Sequence, residues 1–168
     1  IFSNKNFLNS IKKKLIKLKD QDVIYGNTIV DYKYTRGFRE AKIMNSSTYL
    51  MPFNHQSVFV KTNLAKKNVF NIKYKIASDF NFFYHLFMLG KKFCKINKTF
   101  SIVESGGFSD KSRFRTLNEY KIIKKKYHKS LSVDFFYFLI FIFFYINFLI
   151  KKILPQFLIK KITKIKNL

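Results

Sequence analysis

Ser78-Asp-Phe-Asn-Phe-Phe-Tyr-His-Leu-Phe-Met-Leu-Gly90, followed by Lys91-Lys-Phe-Cys-Lys-Ile-Asn-Lys-Thr-Phe-Ser-Ile-Val-Glu104, decides the fold of this chain. Ser78 is a good helix N-cap, and Gly90 supplies a C-terminal stop, which predicts an aromatic helix from Asp79 to about Leu89. Beyond it Phe93, Ile96, Phe100, Ile102 and Val103 recur in extended patterns until Gly106-Gly107 breaks the run, which predicts a strand.

Working outward, the same alternation recurs. Phe7, Leu8, Ile11, Leu15 and Leu18 stand at helical spacing with lysines between them, and Ser3 or Asn4 can cap the start, predicting an amphipathic helix over about 4–19. Val23-Ile-Tyr-Gly-Asn-Thr-Ile-Val30 reads as a strand that continues into a bend or a hairpin at Gly26-Asn27. Residues 31–50 are polar and irregular, as in a mobile loop. Ser57-Val-Phe-Val-Lys61 alternates as a strand, Thr62 can cap a short helix through Lys67, and a further helix is expected from Phe114 to Lys129. Strands interleaved with helices make the expected class α/β.

The composition changes at Leu131. Phe135 to Ile146 is an uninterrupted apolar run, and Phe148-Leu-Ile150 follows Asn147 before Lys151-Lys152. At the helical rise, Phe135 to Ile150 is about 24 Å long, short of the roughly 30 Å hydrocarbon core, so a span needs Leu131 to Asp134 as well. Lysines flank both ends, without the asymmetry of a spanning helix. After Pro155, Phe157-Leu-Ile159, Ile162 and Ile165 continue a basic amphipathic pattern. An in-plane or re-entrant membrane anchor is the preferred expectation, with a span as the alternative. The organisation expected is therefore a domain over residues 1–130 and a hydrophobic, basic, membrane-associating helical tail over 131–168.

The net charge of +24 would ordinarily suggest nucleic acid, but only four of the 33 basic residues are arginine: Arg36, Arg39, Arg113 and Arg115. Phosphate and base recognition favours the bidentate guanidinium, so no specific nucleic-acid partner is expected. Anionic lipid surfaces attract such a chain at low salt. Cys94 is the single cysteine, which excludes an internal disulfide, and no CxxC or His/Cys cluster offers a zinc site. The chain opens on Ile1 and its first methionine is Met44, which predicts a piece of a longer polypeptide.

Nine residues are acidic, so each carboxylate can be weighed. Asp79 stands at the start of the aromatic helix in a chain dominated by cations, where an acid stabilised by the helix dipole is the plain reading and a general base the functional one. Asp20-Gln21-Asp22 has the text of a metal-binding Asp-x-Asp, but it follows a basic helix and opens a strand, so it is read as a decoy. His55 can donate to phosphate or acceptor oxygens, or be satisfied in a turn, and Gln56 beside it can donate or accept. Gly106-Gly107 can make a loop over a site or a plain turn. His85 is expected in the core and His128 in solvent.

Met51-Pro-Phe-Asn-His-Gln-Ser-Val-Phe-Val60, Tyr74-Lys-Ile-Ala-Ser-Asp-Phe-Asn-Phe-Phe83, Glu104-Ser-Gly-Gly-Phe-Ser109 and Glu119, in this order, resemble the acceptor half of family 2 glycosyltransferases, of the bacterial branch that builds capsules, exopolysaccharide and lipopolysaccharide. The resemblance covers about residues 1–130. It implies a partial GT-A, Rossmann-like glycosyltransferase fold lacking its N-terminal nucleotide-binding half, with a C-terminal hydrophobic helical tail. It implies Asp79 as general base, with His55, Gln56, Gly106, Gly107, Ser109 and Arg113 binding substrate. It further implies a nucleotide-sugar donor, a lipid-linked or surface-glycan acceptor, and work at the cytoplasmic face of the membrane. A divalent cation, Mg2+ or Mn2+, would serve the complete enzyme from a site upstream of Ile1, so this chain alone is expected to be inactive. Tyr25, Gly26 and Asn27 resemble a segment near the donor, though a tight backbone bend accounts for them equally. The alternative function is a non-catalytic basic membrane-binding module.

Overall fold

The computed structural model describes residues 6–32 and 35–153, with only the backbone of Asp110, Lys151 and Ile153. The expected caps Ser3 and Asn4, and the basic pattern after Pro155, lie outside the described residues. The elements run α1 (Phe7–Lys17), β1 (Val23–Asp31), β2 (Arg36–Arg39), a 3-10 turn (His55–Ser57), β3 (Val58–Val60), α2 (Thr62–Lys67), α3 (Ser78–Met88), β4 (Phe93–Glu104), α4 (Phe108–Lys111), α5 (Arg113–Tyr127) and α6 (Leu131–Ile153). The class is mixed α/β with a C-terminal apolar helix. The chain divides into two compact units, Ile1–Tyr120 and Lys121–Leu168.

In the first unit β1 is the central strand of a four-stranded sheet. One edge pairs in parallel with β4 along its whole length. The other edge takes β3 antiparallel against Val23–Tyr25 and β2 antiparallel against Thr28–Asp31. Of the bend or hairpin expected at Gly26-Asn27, the hairpin forms instead beyond Asp31, where Tyr32 N–H bonds Thr35 O at 2.8 Å. Gly26-Asn27 stays inside the strand and absorbs a bulge: Gly26 faces Ile96 while Asn27 faces Thr99. A Cβ on Gly26 would overlap the Phe100 ring and lie 2.6 Å from Lys98 O, so only glycine lets the bulged strand fold over β1 here.

The two faces of the sheet bury different sets, as strand alternation requires. Ile24, Ile96 and Phe100 pack with Phe7 and Ile11 of α1, and Leu15, Leu18, Phe59 and Cys94 border that cluster. On the other side Tyr25 stacks on Phe53 at 4.2 Å between ring centroids, Phe53 meets Phe83 edge-on at 5.3 Å, and Phe87 meets Phe93 at 6.3 Å. Burial of each such ring stabilises the fold by about 1.5–3 kcal/mol.

The segment expected to be a mobile loop is instead tied to this core. Ala41, Met44, Met51 and Phe53 are buried, Ala41 N–H donates to Asn27 Oδ1 at 3.0 Å, and Lys42 N–H bonds Pro52 O at 2.8 Å. Both expected caps also differ. Thr62 and Ser78 are the first residues of α2 and α3, and neither Lys61 nor Ala77 at the cap positions makes a side-chain cap. The stop at Gly90 forms as expected. With φ of 70° it closes a Schellman motif, in which Lys91 N–H bonds Leu86 O at 3.1 Å and Gly90 N–H bonds Phe87 O at 2.9 Å.

In the second unit the end of α5 carries Lys121 and Lys125, each 2.8 Å from Asp134 of α6. Ile123, Val133 and Tyr137 are buried, as is Lys124, whose ammonium is pushed down to about 8 by burial. α6 is unbroken over 23 residues, about 34 Å at the helical rise. It includes Leu131 to Asp134, the residues a span requires. The stretch Leu131–Ile150 has mean hydropathy 2.2, and 11% of it is buried, so by length and composition it can cross a bilayer.

Candidate functional site

Asp79 is the second residue of α3, and its position follows from how that helix begins. Glu119, on α5, reaches the segment ahead of α3 with both carboxylate oxygens. Oε1 accepts from Lys75 N–H at 3.1 Å, and Oε2 accepts from Ile76 N–H at 2.9 Å and Ala77 N–H at 2.8 Å. Successive amides converging on one anion at a helix start favour negative charge there. Asp79 Oδ1 then accepts from Phe80 N–H at 2.7 Å, which turns Oδ2 away from the helix.

Asp79 Oδ2 lies 3.0 Å from His55 Nδ1. A carboxylate only accepts, so the imidazole proton sits on Nδ1 and leaves Nε2 as a free acceptor when the ring is neutral. The 3-10 turn that presents His55 is built locally and then bolted to the sheet. Asn54 Oδ1 accepts from Gln56 N–H at 2.8 Å, and Ser57, completely buried, lies 2.6 Å from Thr28 Oγ1 and 2.5 Å from Ser101 Oγ, joining β1, the turn and β4 through three hydroxyls. The side chain of His55 is 55% exposed and that of Asp79 21%, so the pair is open to solvent.

Both residues line a cavity of about 450 Å³, with Gln56, Arg39, Tyr120 and Glu104 also on its walls. Gly107 and Ser109 complete that side, where Gly107 precedes α4 and Ser109 O accepts from Thr116 Oγ1 at 3.2 Å. Of the seven residues singled out in the sequence, the fold therefore brings Asp79, His55, Gln56, Gly107 and Ser109 to one cavity. Gly106, with φ of 81°, and Arg113, the exposed first residue of α5, are not on its walls.

Arg39 and Tyr120 were not legible as site residues. Arg39 falls in the stretch expected to be loop and reaches the cavity because β2 forms, and its scarcity among the basic residues was the only available signal. Tyr120 packs on Phe80 at 4.5 Å between centroids. Burial raises its phenol well above the ordinary range, the Asp79 carboxylate adds to this, and Arg39 opposes it, so Tyr120 is a neutral O–H donor at pH 7. Glu104 ends β4 at the rim.

Tyr25, Gly26 and Asn27 are structural: Tyr25 is in the aromatic core, Gly26 lies under Phe100 and Asn27 holds Ala41. Asp22 is likewise engaged, accepting from Lys92 N–H at 3.0 Å and from Lys61 Nζ at 3.2 Å, and these contacts hold its carboxyl below the usual range. Among the described residues no group of three His, Cys, Asp or Glu converges in a way that could hold a metal ion. His85 and His128 are both half-buried and both engaged in contacts.

No protein-family model, curated protein or solved structure matches this chain.

Proposed function

We propose that the chain is the acceptor-side part of an inverting glycosyltransferase of the GT-A type, similar to family 2, acting on a lipid-linked or surface-glycan acceptor at the cytoplasmic face of a membrane. The observation that carries this reading is the Asp79–His55 pair at 3.0 Å on the wall of a roughly 450 Å³ cavity. Separate segments that the resemblance selected supply its lining.

In this reading an acceptor hydroxyl enters the cavity and attacks the anomeric carbon of a nucleotide sugar. The bond from that carbon to the diphosphate oxygen breaks, the nucleoside diphosphate leaves with the electron pair, and the hydroxyl proton passes to Asp79. Attack opposite the leaving group inverts the anomeric configuration. Positioned general bases contribute about 10²- to 10⁴-fold to such steps. Gln56, Ser109 and the Tyr120 hydroxyl suit a polyhydroxylated acceptor, since each offers a donor or both functions. A divalent cation would neutralise the leaving diphosphate, and no step assigned to this chain passes through it.

The 3.0 Å contact also favours a second division of labour, in which His55 Nε2 takes the proton and Asp79 holds the ring in the required tautomer. In either case α6 holds the site at a membrane that contains the acceptor, which raises the local concentration of reactants. Its unbroken length favours a span over the in-plane anchor. The competing function is a membrane-binding module without chemistry, which the exposed apolar face of α6 and the many lysines would serve.

The test is a transfer assay. Membranes from cells producing the protein from its native reading frame are supplied with radiolabelled nucleotide sugars, and label is followed into the lipid-extractable and glycan fractions. Incorporation above vector controls is expected, and none with any donor supports the module.

A further inference from the structure

We propose that Glu119 is a positioning residue for the Asp79–His55 pair, acting through the main chain ahead of α3. Its kinetic consequence rests on the transferase reading; its geometric content does not.

α3 has no side-chain cap of its own. Its cap residue, Ala77, has no side-chain oxygen to offer, and Ser78 is already inside the helix. Yet the amides of Lys75, Ile76 and Ala77 are all satisfied, by one carboxylate from a distant helix. Hydrogen bonds to a charged group are stronger than neutral ones, so this clamp governs the path of residues 75–77. Asp79 follows two residues later, with its side chain steered by its bond to Phe80 N–H. Phe80 in turn packs on Tyr120, the residue next to Glu119. Two adjacent residues of α5 thus fix the axial position of α3 and one wall of the cavity. At the far end the Schellman motif at Gly90 and the aromatic core set the other boundary. Slack at the Glu119 end alone would let the first turn of α3 fray and carry Oδ2 out of reach of His55. A general base must sit at hydrogen-bond distance, so a shift of about 1 Å matters.

The test uses the full chain and reads the His55 tautomer from imidazole ¹⁵N shifts, correlated through the carbon-bound ring protons at a pH where the ring is neutral. Wild type is expected to hold the proton on Nδ1, and Asp79→Ala supplies the unlinked reference. Glu119→Ala is expected to move His55 toward that reference while far-UV circular dichroism is unchanged. Glu119→Gln can keep the oxygen that serves Ile76 and Ala77, losing only the Lys75 bond, and is expected to restore most of the wild-type signal. A wild-type tautomer in folded Glu119→Ala overturns the proposal. If Glu119→Ala does not fold, Glu119→Asp, whose carboxylate is one methylene short of the amides of residues 75–77, decides: a shifted tautomer in a folded protein supports the clamp, and an unshifted one overturns it. In the transfer assay Glu119→Ala is expected to lower kcat with little change in the donor KM, and Glu119→Gln to recover most of that loss. Absence of transfer by wild type produced from its native reading frame, with the Nδ1–H tautomer intact, refutes the transferase reading and leaves the clamp standing.

Discussion

His55 Nδ1 lies 3.0 Å from Asp79 Oδ2, a contact between a 3-10 turn at the end of one loop and the first turn of a helix reached through two further elements. Neither residue is held by its own segment alone. Ser57 bolts the turn to β1 and β4, and Glu119 fixes the start of α3, so the pair reports whether the whole first unit has folded correctly.

Removing the bolt should be costly. Ser57→Ala deletes the shared partner of Thr28 and Ser101 in a fully buried position, and should lower stability by about 1–3 kcal/mol in urea unfolding. Unchanged stability would mean the two remaining hydroxyls satisfy one another.

Gly26 should tolerate no side chain. Gly26→Ala places a methyl against Phe100 and Lys98 O, and should cost about 1–3 kcal/mol. Because one of these obstacles is main chain, trimming Phe100 to leucine should recover only part of the loss, which a thermal-melt comparison of single and double variants would show.

Lys124 gives the second unit a pH signature. Burial lowers its ammonium from the ordinary 10.5 to about 8 in the folded state, so below pH 8 the fold carries a charge it disfavours. Between about pH 8 and 10.5 the unfolded chain holds this proton and the folded chain does not, and stability should rise by on the order of 1–3 kcal/mol across that window. Lys124→Met should flatten the rise in chemical denaturation measured at several pH values.

The tail should bind lipid without help from charge alone. The full chain should float with vesicles containing anionic lipid and remain bound in about 1 M salt, where electrostatic attraction is screened. A chain ending at Ser130 should lose the salt-resistant fraction. Complete release by salt would assign the binding to the lysines rather than to α6.

How much of this was legible depended on whether the deciding contact was local. α3, its Gly90 stop, β4 and the apolar start of α6 were readable because propensity, glycine and hydrophobic run all lie within each segment. The caps were not. Ser78 has the right chemistry for an N-cap, but Glu119 satisfies the amides ahead of the helix from elsewhere in the chain, and the helix begins one residue early. The hairpin at Gly26-Asn27 failed for a similar reason. Turn-forming residues there serve a bulge and a close approach of Phe100, neither of which local sequence encodes. The stretch around Arg39 looked like loop because its apolar residues are few and follow no regular period, and it becomes a strand by pairing with β1. Asp79, His55 and Gln56 were selected by resemblance, and their convergence on one cavity is a tertiary fact that no spacing rule could supply.

The central claim is that the Asp79–His55 pair takes the proton from an acceptor hydroxyl, and the most direct measurement is sugar transfer by Asp79→Asn, made in the protein produced from its native reading frame, beside donor binding by the same protein. The account predicts that transfer falls by about 10²-fold or more while calorimetric binding of the nucleotide sugar is unchanged, because the carboxylate acts on the acceptor. Transfer at the wild-type rate by a folded Asp79→Asn protein would contradict it.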